Sequence, residues 1–361
     1  MKYIDEYRDR DLIMKLAGRI TASARHDYVF MEVCGGHTAA IHRFGIPALL
    51  PENIKLISGP GCPVCVTGTD FIDKAVAYSE MDDVIIATFG DLIRVPGSSS
   101  SLEKQKASGA DIRIVFSALD ALDIARSEKD KKVIFPGIGF ETTAPGTAVT
   151  IRQALQERIE NFFVLSAHKV MPPAMEAIVK DGTKINGFIC PGHVAAVTGS
   201  SIFSFLPEKY GLGCVITGFE PTDLLQSILM LIEQVNRKYP KVEIQYRRVV
   251  TAGGNTLAQK NLSEVFVPSD AFWRGFGTIP ASGLVPGRDY ERFDAEISMP
   301  VKVQNHEENE NCICPEILRG VNNPCDCPLF AEICSPENPV GACMVSGEGA
   351  CSTWYKYKRE G

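Results

Sequence analysis

Apolar, β-branched runs return along the chain at intervals that leave room for a helix between them. They are "YVFMEV" from Tyr28, "IKLIS" from Ile54, "VIIATF" from Val84, "IRIVF" from Ile112, "KVIFPG" from Lys132, "FFVLSA" from Phe162, "INGFIC" from Ile185, "CVITG" from Cys214 and "RRVVTAGG" from Arg247. Runs with so few polar interruptions suit strands covered on both faces, and their alternation with helical stretches predicts parallel sheets in an α/β fold. Several end in glycine-rich turns, where open α/β sheets place their ligands. Residues 6–25, ahead of the first strand, read as an amphipathic helix.

One of these strand–helix segments occurs twice. "CGGHTAAIHRFGIPALLPE", from Cys34, aligns without a gap on "CPGHVAAVTGSSIFSFLPE", from Cys190. The repetition predicts two related α/β halves, 26–136 and 137–290, preceded by an N-terminal helix in 1–25 and followed by a third, small domain in 291–361. "LISG" (56–59) and "VITG" (215–218) follow the two copies, so "GPGCPVC" (59–65) and "GFEPTD" (218–223) occupy equivalent loops. The second copy keeps Cys190 and His193 but has no counterpart of Cys62 or Cys65. A single three-thiolate site, on the first copy alone, is therefore expected.

Composition narrows the function class. The chain has 361 residues, a net charge of -7 and 45% hydrophobic residues, as a globular protein of more than one domain would. A negative balance disfavours a nucleic-acid or anionic-membrane surface, and no apolar run approaches the roughly 20 residues of a membrane helix. The N-terminal stretch lacks the apolar core of a signal peptide, so a cytoplasmic location is expected. In that setting the 12 cysteines point to metal or redox chemistry rather than to a disulfide framework. Five are scattered through the first 300 residues and seven crowd into 312–351.

Cys34 follows a strand and opens a helix, whose dipole would favour the thiolate; His37 sits three residues on as a base, donor or second ligand. A tight turn with a buried cysteine is the plainer reading. Cys62 and Cys65 form a C-x-x-C loop, either a soft-metal clip or a dithiol. Zinc usually takes paired knuckles, and no second C-x-x-C exists in the chain. "GIGFETTAPG" (137–146) places Thr142 and Thr143 to cap a helix whose free N–H groups suit an anion, although it lacks the phosphate-loop pattern; Glu141 is a candidate lining residue. In "SAHKVMPP" (166–173), His168 and Lys169 fit a surface or packing role as well as a chemical one. In the tail, uneven spacing and C-x-C pairs favour an iron–sulfur cluster, with zinc and disulfides as alternatives.

In order along the whole chain, "CGGHT", "GPGCPVC", "GFETTAPG", "SAHKVMPPAM", "CPGH" and "GACMVSGEGAC" resemble the HypD family of hydrogenase maturation proteins. The resemblance implies two α/β domains plus a C-terminal [4Fe-4S] domain. The implied function is a scaffold on which the Fe(CN)2CO unit of [NiFe]-hydrogenases is built, with a HypC-type chaperone and a HypE-type cyanide donor as partners. It further implies that Cys34, Cys62 and Cys65 hold or process the iron fragment beside His37. Cys312, Cys327, Cys334 and Cys351 would be cluster ligands, and Cys314 and Cys343 a redox-active dithiol. Cys325 has no place in that pattern and is an open competitor for a ligand position. Two other functions fit the same residues: a cluster-dependent disulfide reductase acting on proteins, and an assembly platform without catalysis.

Overall fold

The computed structural model describes residues 5–180, 182–303 and 311–357. The expected N-terminal helix is Arg10–Ser23, started by the Asp9 side chain accepting from the Leu12 N–H; residues 1–4 of that expectation, and 304–310 and 358–361 of the expected third domain, lie outside the described residues.

The strands are β1 (Tyr28–Glu32), β2 (Ile54–Ser58), β3 (Val84–Thr88), β4 (Ile112–Ile114), β5 (Lys132–Gly139), β6 (Phe162–His168), β7 (Gly187–Pro191), β8 (Gly213–Thr217), β9 (Val242–Ile244), β10 (Phe266–Trp273) and β11 (Gly277–Pro286). They form two parallel sheets, ordered β2-β1-β7-β8-β9 and β4-β3-β5-β6, plus the antiparallel β10-β11 hairpin. Eight of the nine apolar runs are strands of this kind. The ninth, "RRVVTAGG", is turn and coil, and the neighbouring Val242–Ile244 supplies the edge strand.

The two sheets do not follow the contiguous halves expected at 26–136 and 137–290. The chain starts in the first sheet with β1 and β2, crosses to build all of the second, then returns for β7, β8 and β9. The repeat is real in space, but its two copies are the two wings of one sheet, joined where Phe30, Met31 and Glu32 pair with Gly187, Phe188 and Ile189. Two strands alone cannot enclose a core, so the copies complete each other. The helix Pro221–Arg237 lies over this sheet and buries Leu224, Leu225, Ile228, Leu231 and Ile232 fully. Residues expected at the start of the third domain also belong elsewhere: Asp294 bridges to Val164 on β6, and the Tyr78 hydroxyl donates to the carbonyls of Ala295 and Met299.

Strand order reverses between β1 and β7, and the loops at their carboxyl ends open the crevice that such a reversal creates. The cysteine-rich tail covers that edge. Gly320, at φ +71°, lies so close to Met31 and Ile57 that any side chain there would collide. The helix Ala350–Tyr357 packs along the helix Gly35–Arg43, with Trp354 against His42.

Candidate functional site

Cys34 is the N-cap of the helix Gly35–Arg43, as the sequence implies. Its thiol, however, is not favoured as thiolate. Desolvation pushes it up to about 12, with the carboxylates of Glu348 and Glu32 adding to the rise and the N–H groups of His37 and Gly36 opposing it. Burial and two acidic neighbours outweigh the helix dipole, which corrects the sequence expectation. Glu32 itself, buried at the end of β1, is pushed up to about 8 by desolvation, against hydrogen bonds from Thr38, Ser58 and the Cys34 N–H.

The C-x-x-C loop is seated directly on this turn. The Gly35 N–H donates to the Gly61 carbonyl at 2.9 Å, and a Cβ on Gly61 would fall 2.2 Å from the Cys34 nitrogen, so only glycine fits before Cys62. Cys62 and Cys65 are buried and close: the Cys65 N–H points at the Cys62 sulfur at 3.2 Å. Burial pushes the Cys65 thiol up, and contacts with Cys343 and Cys62 add to that. The tail thus reaches into the loop. Cys343 is also 2.7 Å from Cys314, sulfur to sulfur, and both are free, buried thiols. Cys351 lies near enough to Cys343, and Cys312 near enough to Cys314, for each to shift its neighbour's thiol. Sulfur therefore follows sulfur from Cys62 through Cys65, Cys343 and Cys314 to Cys312.

The remaining tail cysteines gather near that end. Cys334 is held up by burial, with Cys312 and Cys327 adding to it, and Cys351 feels Cys314, Cys312 and Cys334. A Cβ on Gly341 would sit 3.3 Å from the Cys312 sulfur. Cys325 is exposed, whereas Cys327, Cys334 and Cys351 are buried. Among the described residues no three His, Cys, Asp or Glu side chains converge as a closed metal site. The donors present are nonetheless all sulfur and within electrostatic reach of one another, a chemistry that fits an iron–sulfur or iron site.

His37 is fully buried, and its Nε2 lies 3.1 Å from the carbonyl oxygens of both Thr217 and Gly218. Carbonyls only accept, so Nε2 carries the proton and Nδ1, with no partner among the described residues, keeps a free lone pair. Burial pushes the ring down to about 4, so it is neutral. Its repeat counterpart His193 stacks on Phe219 at 4.1 Å, and His37 stacks on Phe219 at 4.6 Å. Phe219 thereby locks the two copies of the motif together.

The other motifs converge on the second sheet. Glu141 is buried, accepts from the Met171 N–H at 2.9 Å and is pushed up to about 7 by desolvation. His168 and Lys169 are buried rather than on the surface. Thr143 is the N-cap of the helix Ala144–Glu157, but neither it nor Thr142 makes the expected side-chain cap. Sequence reasoning passed over Glu348, Glu32 and Phe219. A glutamate ending an otherwise apolar strand was a readable signal for Glu32, whereas Glu348 reaches Gly35 only through folding of the tail.

Fold and site define a two-sheet α/β thiol protein whose cysteine-rich tail docks on a strand-end cysteine loop. Comparison with known proteins places it further. The family described as "Hydrogenase formation hypA family", HypD, matches residues 11–358. The chain is 46% identical to "Hydrogenase maturation factor HypD2" of Bradyrhizobium diazoefficiens, over 99% of this chain and 97% of that protein. It is 46% identical to "Hydrogenase maturation factor HypD" of Azotobacter vinelandii, over 100% and 98%, and 43% identical to that of Escherichia coli, over 100% and 99%. The chain belongs to the HypD family of hydrogenase maturation factors. No helix among the described residues is long and apolar enough to cross a membrane.

Proposed function

We propose that this protein is the scaffold on which the Fe(CN)2CO unit of a [NiFe]-hydrogenase is assembled, working in the cytoplasm with a HypC-type chaperone and a HypE-type cyanide donor. The iron fragment is its cargo, held by Cys34, Cys62 and Cys65 at the reversal of the first sheet. His37 keeps that turn in place through Thr217 and Gly218 while remaining neutral. Cys312, Cys327, Cys334 and Cys351 would hold a [4Fe-4S] cluster, which supplies single electrons when bound.

The observation that carries this reading is the position of Cys343 between Cys65 and Cys314. It allows a thiol–disulfide relay with balanced chemistry. Cys343, as thiolate, attacks the Cys65 sulfur of a Cys62–Cys65 disulfide, and Cys62 leaves as thiolate and takes up a proton. Cys314 then loses its proton and attacks Cys343, freeing Cys65. The loop gains two electrons and two protons, and a Cys314–Cys343 disulfide remains in the tail. Cys65, Cys314 and Cys343 are each pushed up by their buried, sulfur-crowded surroundings, so the relay is slow until a base or a bound metal removes a proton.

The test is anaerobic co-purification with the chaperone partner, read by infrared and Mössbauer spectroscopy. Cyanide and carbon monoxide stretching bands should accompany the wild-type chain and vanish with Cys34→Ser. Bands that persist in that variant would refute the assignment of the cargo site. Bands that persist when Cys343 is replaced would favour a platform without redox chemistry.

A further inference from the structure

The β10-β11 hairpin belongs to neither parallel sheet, yet its turn reaches the region lined by sulfur. Two buried contacts hold the base of that turn. Trp273 stacks on Phe140 with ring centres 5.8 Å apart, and its indole Nε1 donates to the Ser282 hydroxyl at 2.8 Å. The next residue, Arg274, donates its backbone N–H to the Val66 carbonyl at 2.8 Å, one position beyond Cys65. Gly275 follows at φ +87°, and a Cβ there would fall 2.7 Å from the carbonyl oxygen of Pro315, one position beyond Cys314. The turn is thus wedged between the C-x-x-C loop and the tail.

The residue at the wedge is charged. Arg274 is only 5% exposed, and a guanidinium keeps its charge at any pH the protein meets. That charge acts on both Cys312 and Cys314. Away from water a charge acts more strongly than at the surface. Methionine would fill similar space at a lower desolvation cost, so packing alone does not select arginine. Cysteines bind metal as thiolates, so a site built from them gathers negative charge. A further electron is repelled by that charge, and a fixed cation nearby offsets the repulsion.

We propose that Arg274 tunes the electron affinity of the tail's iron–sulfur site, its buried guanidinium favouring the reduced, more negative state over the oxidised one. This rests on the cluster assignment made above and adds to it a residue from outside the tail. The step concerned is uptake of a single electron from a low-potential one-electron donor, with no bond made or broken. Arg274 neither ligates metal nor moves a proton; it is a positioning residue that acts through its charge. The same turn that bonds to the loop at Val66 therefore carries the cation that reaches Cys312 and Cys314.

The experiment is a mediated dithionite titration of the full-length, anaerobically purified chain, read by EPR of the reduced state, with iron, sulfide and thermal melting measured in parallel. Arg274→Gln should retain iron and sulfide but lower the midpoint. At the wild-type midpoint its ratio of reduced to oxidised cluster should fall about tenfold, or about 59 mV for a one-electron couple. Arg274→Lys, which keeps the charge, should recover most of that shift. A purely structural role would change melting or iron content, but not the midpoint of the clusters that remain. Equal midpoints in the wild-type chain and a folded, loaded Arg274→Gln protein would overturn the proposal. So would failure of both Arg274→Gln and Arg274→Met to fold or load while Arg274→Lys does both, since the residue would then be structural. A wild-type chain without iron and sulfide would instead defeat the cluster assignment, and the proposal with it.

Discussion

The two wings of the first sheet carry the same cysteine–glycine–histidine motif and put it to different uses. In the first, Cys34 lies beyond the end of β1 and is partly exposed; in the second, Cys190 lies within β7 and is completely buried. The residue after the cysteine decides what can cover it. Gly35 has no side chain, and a Cβ there would fall 2.4 Å from the Cβ of Glu348, so the tail settles on the bare backbone. Its counterpart is Pro191, whose ring fills that position. Two residues before the cysteine the contrast recurs: Glu32, buried and acidic, against Phe188, buried and apolar. On the proposed function, one copy of the duplicated scaffold serves chemistry and the other packing, with Phe219 between their histidines.

The sharpest break in this comparison is between the two cysteines themselves. Cys34→Ser should abolish hydrogenase maturation in a complemented strain while leaving the thermal melt nearly unchanged. Cys190→Ala should do the reverse, costing on the order of 1–3 kcal/mol of stability and leaving maturation intact. Loss of maturation in a folded Cys190→Ala protein would end the idea of a one-sided site. If the proposed cluster assignment holds, Cys334→Ser in the tail should lose iron and sulfide and unfold the segment, because cofactor binding would then supply its folding energy. Exposed Cys325→Ser should be silent. Iron and sulfide analysis after anaerobic purification reads both.

Much of this was legible in the chain. The parallel α/β class followed from runs such as "VIIATF", and the repeat correctly paired "GPGCPVC" with "GFEPTD". What failed was the inference from repeat to domain, because which sheet a strand joins is a tertiary fact: β3 to β6 intervene in sequence, yet β1 pairs with β7. The thiol row was also hidden. Sequence places Cys65 and Cys343 far apart, and only docking of the tail makes them neighbours. Protonation went wrong at Cys34 for a related reason, since the helix dipole is local and visible whereas Glu348 arrives from the other end of the chain.

Smaller perturbations sharpen the same contrast. Gly35→Ala should loosen the tail by about 1–3 kcal/mol through overpacking against Glu348, seen as faster hydrogen exchange or proteolysis in residues 311–357. Phe219→Ala, which removes a ring shared by both wings, should cost about 3 kcal/mol in thermal or denaturant unfolding. Gentlest is a pH effect. Glu32 titrates near 8 when folded, above its ordinary value of 4.5, so between these limits the folded state holds a proton that the unfolded state has lost. Its contribution to stability is complete below about 4.5 and declines as pH rises toward 8. Glu32→Gln should flatten that part of the stability–pH curve, and an unchanged slope would show that Glu32 is ionised in the folded protein.

The contact of Cys65 with Cys343 is the joint on which the account turns, and disulfide trapping tests it directly. In metal-free protein carrying Cys62→Ala and Cys314→Ala, each of those two thiols loses its nearest alternative partner. Mild oxidation followed by non-reducing peptide mass spectrometry should then recover a Cys65–Cys343 disulfide as the dominant cross-link in the folded protein. A dominant Cys65 cross-link to Cys34, or no bond to Cys343 at all, would contradict a thiol path joining loop and tail.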